Sequence, residues 1–376
     1  MKLVAKVKLL PTEQQFTLLK RTLEEANAVC DYISERAWEH ETFRQFPLHK
    51  LTYREVREKF SLSAQVVVRC IAKVADAYKA GQKKQRKFKS HGAITYDNRI
   101  LSYRPNDCMV SIWTIDDRQR IPFVCGEWDK GYLNGQRGES DLVLVDGVFY
   151  LFATCDVETP EQEEVSDFLG VDMGVNNIAT DSDGNNYSGK QVNGLRHRHA
   201  CLRSKLQAKG TKSARQLLKN RKRKESRFAK DVNHRIAKEL VLRAKDTGRG
   251  IALENLQGIR NRVTVRKAQR RQHHSWSFFD LRQKIAYKAE LHGVPVVLID
   301  PRNTSRTCPI CGCVDKRNRP NQNTFSCIRC GFSGFADAIA AENIRRAAVN
   351  QPNVGRDEVK AVHTELRLSV PASRLL

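Results

Sequence analysis

The stretch Phe168-Leu-Gly-Val-Asp-Met-Gly-Val-Asn-Asn-Ile-Ala-Thr180 decides how the rest of the chain is read. An apolar run climbs to Asp172, Gly174 with Asn176-Asn177 turns the chain, and Ile178-Ala-Thr180 heads back toward a second turn at Asp181-Ser-Asp-Gly184. Apolar runs bounded by Gly and Asn read as a hairpin, whose first strand here delivers a carboxylate near its end. Alone, such an aspartate caps a turn through local hydrogen bonds. Two later segments change that reading. Arg249-Gly-Ile-Ala-Leu-Glu-Asn-Leu256 is a short apolar run presenting Glu254, and Gly334-Phe-Ala-Asp-Ala-Ile-Ala-Ala-Glu-Asn-Ile344 opens a helical pattern with Asp337 in its first turn. An acid in a first turn also complements the helix dipole. Three carboxylates on two strands and a helix start can share two divalent ions about 4 Å apart, the arrangement that holds both oxygens of a phosphoryl displacement. Magnesium suits such a site because it keeps waters and takes phosphate oxygens as ligands. All of this requires positions 172, 254 and 337 to converge.

With 376 residues the chain has room for two or three domains. It carries 66 Lys+Arg against 42 Asp+Glu, a formal charge of +24, which favours a polyanionic partner. No run of about 18 apolar residues offers a membrane span. Lysines interrupt Met1-Lys-Leu-Val-Ala-Lys-Val-Lys8 too often for a signal-peptide core, so a cytoplasmic location is expected, with no membrane partner. A disulfide framework is then not expected among the eleven cysteines. The scattered Cys30, Cys70, Cys108, Cys125, Cys155 and Cys201 read as buried free thiols.

Residues 2–9 read as a strand, and Thr12 with Gln15 fits a capping box opening a helix. Phe16, Leu19, Leu23, Ala26, Cys30 and Ile33 then recur at helical spacing, and a further helical pattern covers roughly 50–81. The basic run Gly81-Gln-Lys-Lys-Gln-Arg-Lys-Phe-Lys89 follows, with Lys83, Lys84, Arg86, Lys87 and Lys89 around one aromatic. A solvated loop and a phosphate contact are equally open readings of it. Short β-like segments separated by Gly, Asn and Asp turns run from about 93 to 157 and read as a small antiparallel barrel or sandwich, into which strand 2–9 can pair. Residues 188–230 hold fifteen Lys or Arg and a single acid, Glu225. The block continues into an amphipathic pattern at Phe228, Val232, Ile236 and Leu240, so it reads as a long helical arm docked at its far end. Arg221, Lys222, Arg223, Lys224 and Arg227 are its candidate nucleic-acid contacts. Six phosphates neutralised would give a log-log salt slope of roughly −5 on B-DNA. In the next basic-aromatic stretch, Trp276 and Phe279 read as core anchors, and His273 and His274 receive no catalytic role. Asp300 is a rival fourth carboxylate, although Pro301 beside it favours a turn.

Cys308-Pro-Ile-Cys311 and Cys327-Ile-Arg-Cys330 enclose fifteen residues, a spacing that fits a four-thiolate zinc site. Four thiolates fill the coordination sphere, so one structural zinc ion is expected. Cys313 is a possible competitor, but the symmetry of the two pairs favours the other four. After Asp337 a helix runs to about Val349, and the tail 349–376 is weakly patterned and expected to be mobile.

The hairpin, the later strand and the final helix carrying Asp, Glu and Asp resemble the RNase H-like core of RuvC nucleases. Gly170-Val-Asp-Met-Gly174, Leu253-Glu-Asn-Leu256, Thr304-Ser-Arg-Thr-Cys-Pro-Ile-Cys-Gly312, Cys327-x-x-Cys-Gly331 and Ala336-Asp-x-x-Ala-Ala-x-Asn-Ile344 stand in the order seen in TnpB (OrfB) proteins of insertion sequences, relatives of the type V CRISPR effectors. The resemblance implies a multidomain α/β protein. It has an RNase H-like (RuvC) core over 166–303 and 332–348 and a zinc ribbon inserted at 304–331. An N-terminal antiparallel β-barrel, or wedge, over 1–10 and 93–165 contains a helical recognition domain at 11–92. It further implies an RNA-guided DNA endonuclease that binds a guide RNA with a structured scaffold, recognises a short motif beside its target in double-stranded DNA and hydrolyses phosphodiesters. Asp172, Glu254 and Asp337 would ligate two Mg²⁺ ions, and Cys308, Cys311, Cys327 and Cys330 one Zn²⁺. The family usually has Asn two residues after its last catalytic Asp, where this chain has Ile339. That departure leaves a second expectation, a catalytically weakened or dead RNA-guided DNA-binding repressor.

Overall fold

The computed structural model describes residues 1–221, 224–256 and 278–350 and divides at Glu158/Thr159 into two units. The first unit is built on β1 (Lys2–Leu9), whose alternation buries Ala5, Val7 and Leu9 and leaves the lysines between them in solvent. β1 runs antiparallel to β7 (Val148–Asp156), from Lys2↔Asp156 to Lys8↔Tyr150, and meets β5 (Arg118–Val124) at Lys8↔Val124. With β2 (Ile94–Tyr96), β3 (Leu101–Arg104), β4 (Met109–Trp113) and β6 (Gln136–Val145) these strands make one seven-stranded sheet in the order β2-β6-β7-β1-β5-β4-β3. The sheet is a half-barrel with β2 and β3 as its end strands, where the sequence suggested a barrel or a sandwich.

Between β1 and β2 lie α1 (Glu13–Glu39), α2 (Gln45–Lys59) and α3 (Ala64–Lys79). The capping box is present: Gln15 N–H donates to Thr12 Oγ1 (3.3 Å) and Thr12 N–H to Gln15 Oε1 (3.1 Å). The helical pattern expected over 50–81 is interrupted between Lys59 and Ala64, where Phe60 adopts an extended backbone. Leu19, Leu23, Ala26, Cys30 and Ile33 of α1 join Val67, Cys70, Ile71 and Val74 of α3 in the same buried cluster as the sheet residues. A short helix α4 (Glu127–Leu133) links β5 to β6.

The second unit is organised by a five-stranded sheet in the order β10-β9-β8-β11-β12. β8 (Phe168–Asp172) and β9 (Asn177–Asp181) form the hairpin, and β10 (Asn186–Ser188) continues it antiparallel. On the other side of β8, β11 (Gly250–Glu254) and β12 (Val296–Ile299) run parallel to it. Strands covered on both faces read as unbroken apolar runs, and every residue of β11 is buried. One face carries α7 (Lys224–Asp246) and α8 (Phe278–His292), with Ile236, Leu240, Leu281 and Ile285 clustered on Leu169, Val171, Ile251 and Leu253. The other face carries α9 (Ala336–Val349), whose Ile344 and Ala348 cluster with Ala252, Val297 and Ile299.

The basic block before α7 is not one long arm. It comprises α5 (Lys190–Lys209), ended by Gly210 at φ +63°, and α6 (Lys212–Arg221). A left-handed glycine is the commonest helix stop. Glu225, the block's only acid, ties α7 back to α5 through Arg203 at 3.0 Å and Arg196 at 4.0 Å.

Gly170 decides how close α9 can come to β8. A Cβ there would stand 2.0 Å from Ala341 O and 2.6 Å from Arg345 N, both helix backbone that cannot yield without moving α9. Gly170→Ala is therefore expected to destabilise the second unit by about 2–3 kcal/mol, the ordinary penalty for an overpacked core. Chemical denaturation checks this, and an unchanged midpoint would contradict the packing described.

Candidate active site and metal centre

Register brings the first two acids together. Leu253 pairs with Val171 across the parallel β8/β11 pair, so the next residues, Asp172 and Glu254, stand side by side on strands about 4.8 Å apart. Side chains alternate between sheet faces, and both acids follow residues of the α9 face, Gly170 and Ala252. α9 begins on that face with Asp337 in its first turn.

Each carboxylate has a defined setting. Glu254 is buried and accepts a hydrogen bond from Thr304 Oγ1. Burial pushes its carboxyl up, opposed by that hydroxyl and by the charge of Arg319. Asp337 is held at both oxygens, by Arg319 at 2.9 Å and by Asn177 Nδ2 at 2.9 Å. Among the described residues no side chain clamps Asp172 in this way. Burial first, then the charges of Glu254 and Asp337, push its carboxyl up to about 8, with Arg319 pulling the other way. One cation thus acts on three acids, leaving an excess of negative charge under low solvation. That donor set fits divalent cations that favour oxygen ligands. As they stand, the three carboxylates are not gathered into one ligand cluster, and Arg319 sits among them.

The thiolate site is gathered. Among the described residues, the one group placed to hold a metal ion is Cys308, Cys311, Cys327 and Cys330, with all four sulfurs within 4.8 Å of one another. Cys308 and Cys330 Sγ are 3.6 Å apart and Cys311 and Cys327 Sγ 3.5 Å apart. Four sulfurs at about 2.3 Å from a tetrahedral zinc would be about 3.8 Å from one another, so the cluster fits zinc. Both turns have the same construction. Gly312 N–H donates to Cys308 O and Gly331 N–H to Cys327 O, each at 3.0 Å, with the two glycines at φ +68° and +74°. Cys313 stays outside the group, its carbonyl taking the Cys308 N–H and Asn318 Nδ2. Backbone N–H groups of Cys330 and Arg329 pull the Cys327 thiol down to about 6, toward the thiolate a metal takes.

The ribbon and the carboxylates are one construction. Asn318 is fully buried and pins the loop before Arg319 to Arg306 O, Cys313 O and Ile328 N. Asn343 on α9 donates to Thr304 O and Thr307 O at 2.8 Å each, holding the segment whose hydroxyl reaches Glu254. Ile339 faces away from the acids: it packs with Cys308, Phe325, Cys327 and Ala336 in the ribbon core. Arg319, Thr304, Asn177 and Asn343 were not singled out from sequence as site residues, because no spacing relates them to the acids they serve. Asp300 is not a fourth member, since its carboxylate accepts from Arg302 N and Nε in a local turn.

The candidate nucleic-acid contacts divide. Lys83, Lys84, Lys87 and Lys89 are exposed, as are Lys224 and Arg227. Arg86 is turned inward, its guanidinium donating to Gly81 O and lying over the Tyr78 ring. Arg221 lines a cavity of about 550 Å³ between α5, α6 and α7. Lys222 and Arg223 lie outside the described residues, as do His273, His274, Trp276 and the tail from 351. Phe279, expected in the core, is 40% exposed with Arg282 over its ring.

This fold is similar to that of a solved Cas12f1 structure. That structure, determined with sgRNA and target DNA, matches at a TM-score of 0.63 and 15% identity, covering 89% of this chain and 83% of that one. The family model described as Cas12f1-like, TNB domain, matches residues 278–344, and the OrfB_IS605 model, described as probable transposase, matches 152–260. A Cas12f1 endodeoxyribonuclease of Syntrophomonas palmitatica is 29% identical over 50% of this chain and 40% of its own length. A TnpB-like protein of Methanocaldococcus jannaschii is 34% identical over 32% of this chain and 43% of its own. The matched part thus spans less than half the length of either relative. Over the parts they cover, these matches make the chain similar to TnpB-like and Cas12f proteins. No described helix is long and apolar enough to cross a membrane.

Proposed function

We propose that the protein is an RNA-guided DNA endonuclease of RuvC type, with Asp172, Glu254 and Asp337 as its catalytic carboxylates. The observation that carries this is the setting of Asp172, beside Glu254 on the neighbouring strand, where burial first and then the charges of Glu254 and Asp337 push its carboxyl up to about 8. The order β10-β9-β8-β11-β12, an antiparallel hairpin joined to parallel strands, supports an RNase H-like core over 166–303 and 332–348. The half-barrel with β1 would be the wedge domain, α1–α3 the recognition domain, and 304–331 the zinc ribbon.

Magnesium ions, when bound, would supply the charge that offsets an attacking water and a leaving 3′ oxygen. The residues do the rest. Glu254 is oriented by Thr304, and Asp337 is kept from rotating by Asn177. Arg319 must give up its bond to Asp337 Oδ1 if that oxygen is to take a cation. The partners on this reading are a guide RNA with a structured scaffold and double-stranded target DNA, with base pairing supplying the sequence specificity. A repressor with a dead site receives no support from Ile339, whose side chain belongs to the ribbon core.

The test is magnesium-dependent cutting of a target plasmid by the protein purified with its RNA. Cutting should vanish when the RNA is digested first. Activity that survives ribonuclease would point to an unguided nuclease, and specific binding without cutting would point to the repressor.

A further inference from the structure

The basic run after α3 is not the loose loop its composition suggests. Residues 81–92 have no regular secondary structure, yet side chains of α1 and α3 hold them at point after point. Asn27, 1% exposed, donates from Nδ2 to Ser90 O (3.2 Å) and Gly92 O (2.8 Å). Its Oδ1 takes Lys73 Nζ (2.7 Å), which also donates to Ala93 O (2.9 Å) and lies 5.0 Å from the Phe88 ring centre. Asp31 accepts the Phe88 N–H (2.7 Å). Ser34, fully buried, donates to Arg86 O (2.7 Å), and the buried Tyr78 hydroxyl accepts the Arg86 N–H (3.2 Å).

This arrangement sorts the side chains. Arg86 and Phe88 turn toward the helices, while Lys83, Lys84, Lys87 and Lys89 stand in solvent. No acid interrupts Gln82–Ser90, and among the described residues none of the four lysines is paired with a carboxylate. Some exposed cations elsewhere on this unit are paired with an acid, as Lys79 is with Asp76 and Lys20 with Glu24. Freezing a loop costs conformational entropy, and freezing like charges in a row adds repulsion. A solubilising loop gains nothing from either. A surface that must meet a row of negative charges does, because its ordering is completed on folding and is not repeated on binding.

We propose that residues 82–90 are a preformed cationic strap gripping a phosphodiester backbone through Lys83, Lys84, Lys87 and Lys89, with Arg86 and Phe88 as its internal fastenings. The inference rests on the nucleic-acid function proposed above and gives it a specific contact. The backbone grasped belongs to the RNA scaffold or to the DNA duplex, and both present the same chemistry.

Salt titration of the full chain against its co-purifying RNA, and in a second arm against duplex DNA, tests the proposal. The variant K83Q/K84Q/K87Q/K89Q should flatten the log-log salt slope by about 3 in one arm, at 0.7–0.9 per phosphate lost, with an unchanged thermal midpoint. The arm that responds names the strand. Asp31→Ala, which keeps every cation but frees Phe88 N–H, should weaken binding several-fold at unchanged slope. Arg86→Gln should lower the thermal midpoint and leave the slope alone. Binding that persists with an unaltered slope in both arms of the four-lysine variant overturns the strap, as does a slope loss from Arg86→Gln equal to that of a lysine. Absence of wild-type binding in both arms overturns instead the function on which the strap rests.

Discussion

Asp172→Asn is expected to abolish plasmid cutting, by at least 10³-fold, while making the metal-free protein more stable at neutral pH. The loss of cutting follows from removing a proposed metal-ligating carboxylate, and the gain in stability from the burial of that carboxyl. The folded protein holds a proton on Asp172 up to about pH 8, whereas an unfolded aspartate loses it near 3.8. Between those values the folded state binds the extra proton, so stability falls as pH rises from about 4 to about 8. The contribution is fully present below the unfolded value and gone above the folded one. Asparagine cannot ionise, so the variant should show a flatter pH profile and a thermal midpoint several degrees higher near pH 8 without divalent metal. A full unit of pKa is about 1.4 kcal/mol, and at this size each kcal/mol moves the midpoint by roughly 2–4 °C. Magnesium should raise the wild-type midpoint at pH 8 and do little for the variant. If melting curves of the two proteins coincide from pH 5 to 8, the crowding of the three acids is wrong.

Loss of the thiolate cluster should have the other large effect. Cys308→Ser with Cys330→Ser is expected to release zinc, unfold residues 304–335 and silence cutting. Four-thiolate binding is worth on the order of 10 kcal/mol and is part of the ribbon's folding energy. The damage should spread, because the ribbon loop carries Arg319 to Asp337 and its stem carries Thr304 to Glu254. Zinc content, limited proteolysis and the Asp172 pH profile report it separately. A double variant that keeps its protease resistance without zinc would show that the ribbon core of Phe325, Ile339 and Ala336 suffices alone.

Much of this architecture is written in short-range signals. β8 and β11 are apolar runs ending in an acid because buried parallel strands admit few polar residues except where they leave the sheet. The paired C-x2-C turns announce the ribbon because tetrahedral geometry demands that spacing. Thr12 and Gln15 announce α1 because the cap is local. What stayed hidden depends on distant partners. Arg319 reads as one more polar residue between cysteines until Asn318 fixes the loop that aims it. Thr304 reads as a turn residue until β11 arrives beside it. The basic block of 188–230 gave no boundary, since a helix with cations on every side lacks the apolar stripe that marks its ends. Only Gly210 breaks it visibly. Arg86 looks identical to its lysine neighbours, and only the buried hydroxyls of Ser34 and Tyr78 separate its role from theirs.

Because Ile339 lies on the same helix as Asp337 yet packs with the cysteines, the ribbon is no detachable ornament. Shortening the protein by cutting out 304–331, or grafting in a cousin's ribbon, would strip Thr304 and Arg319 from the carboxylates they contact. Any miniaturised or chimeric version has to exchange the last helix and the ribbon as a matched pair.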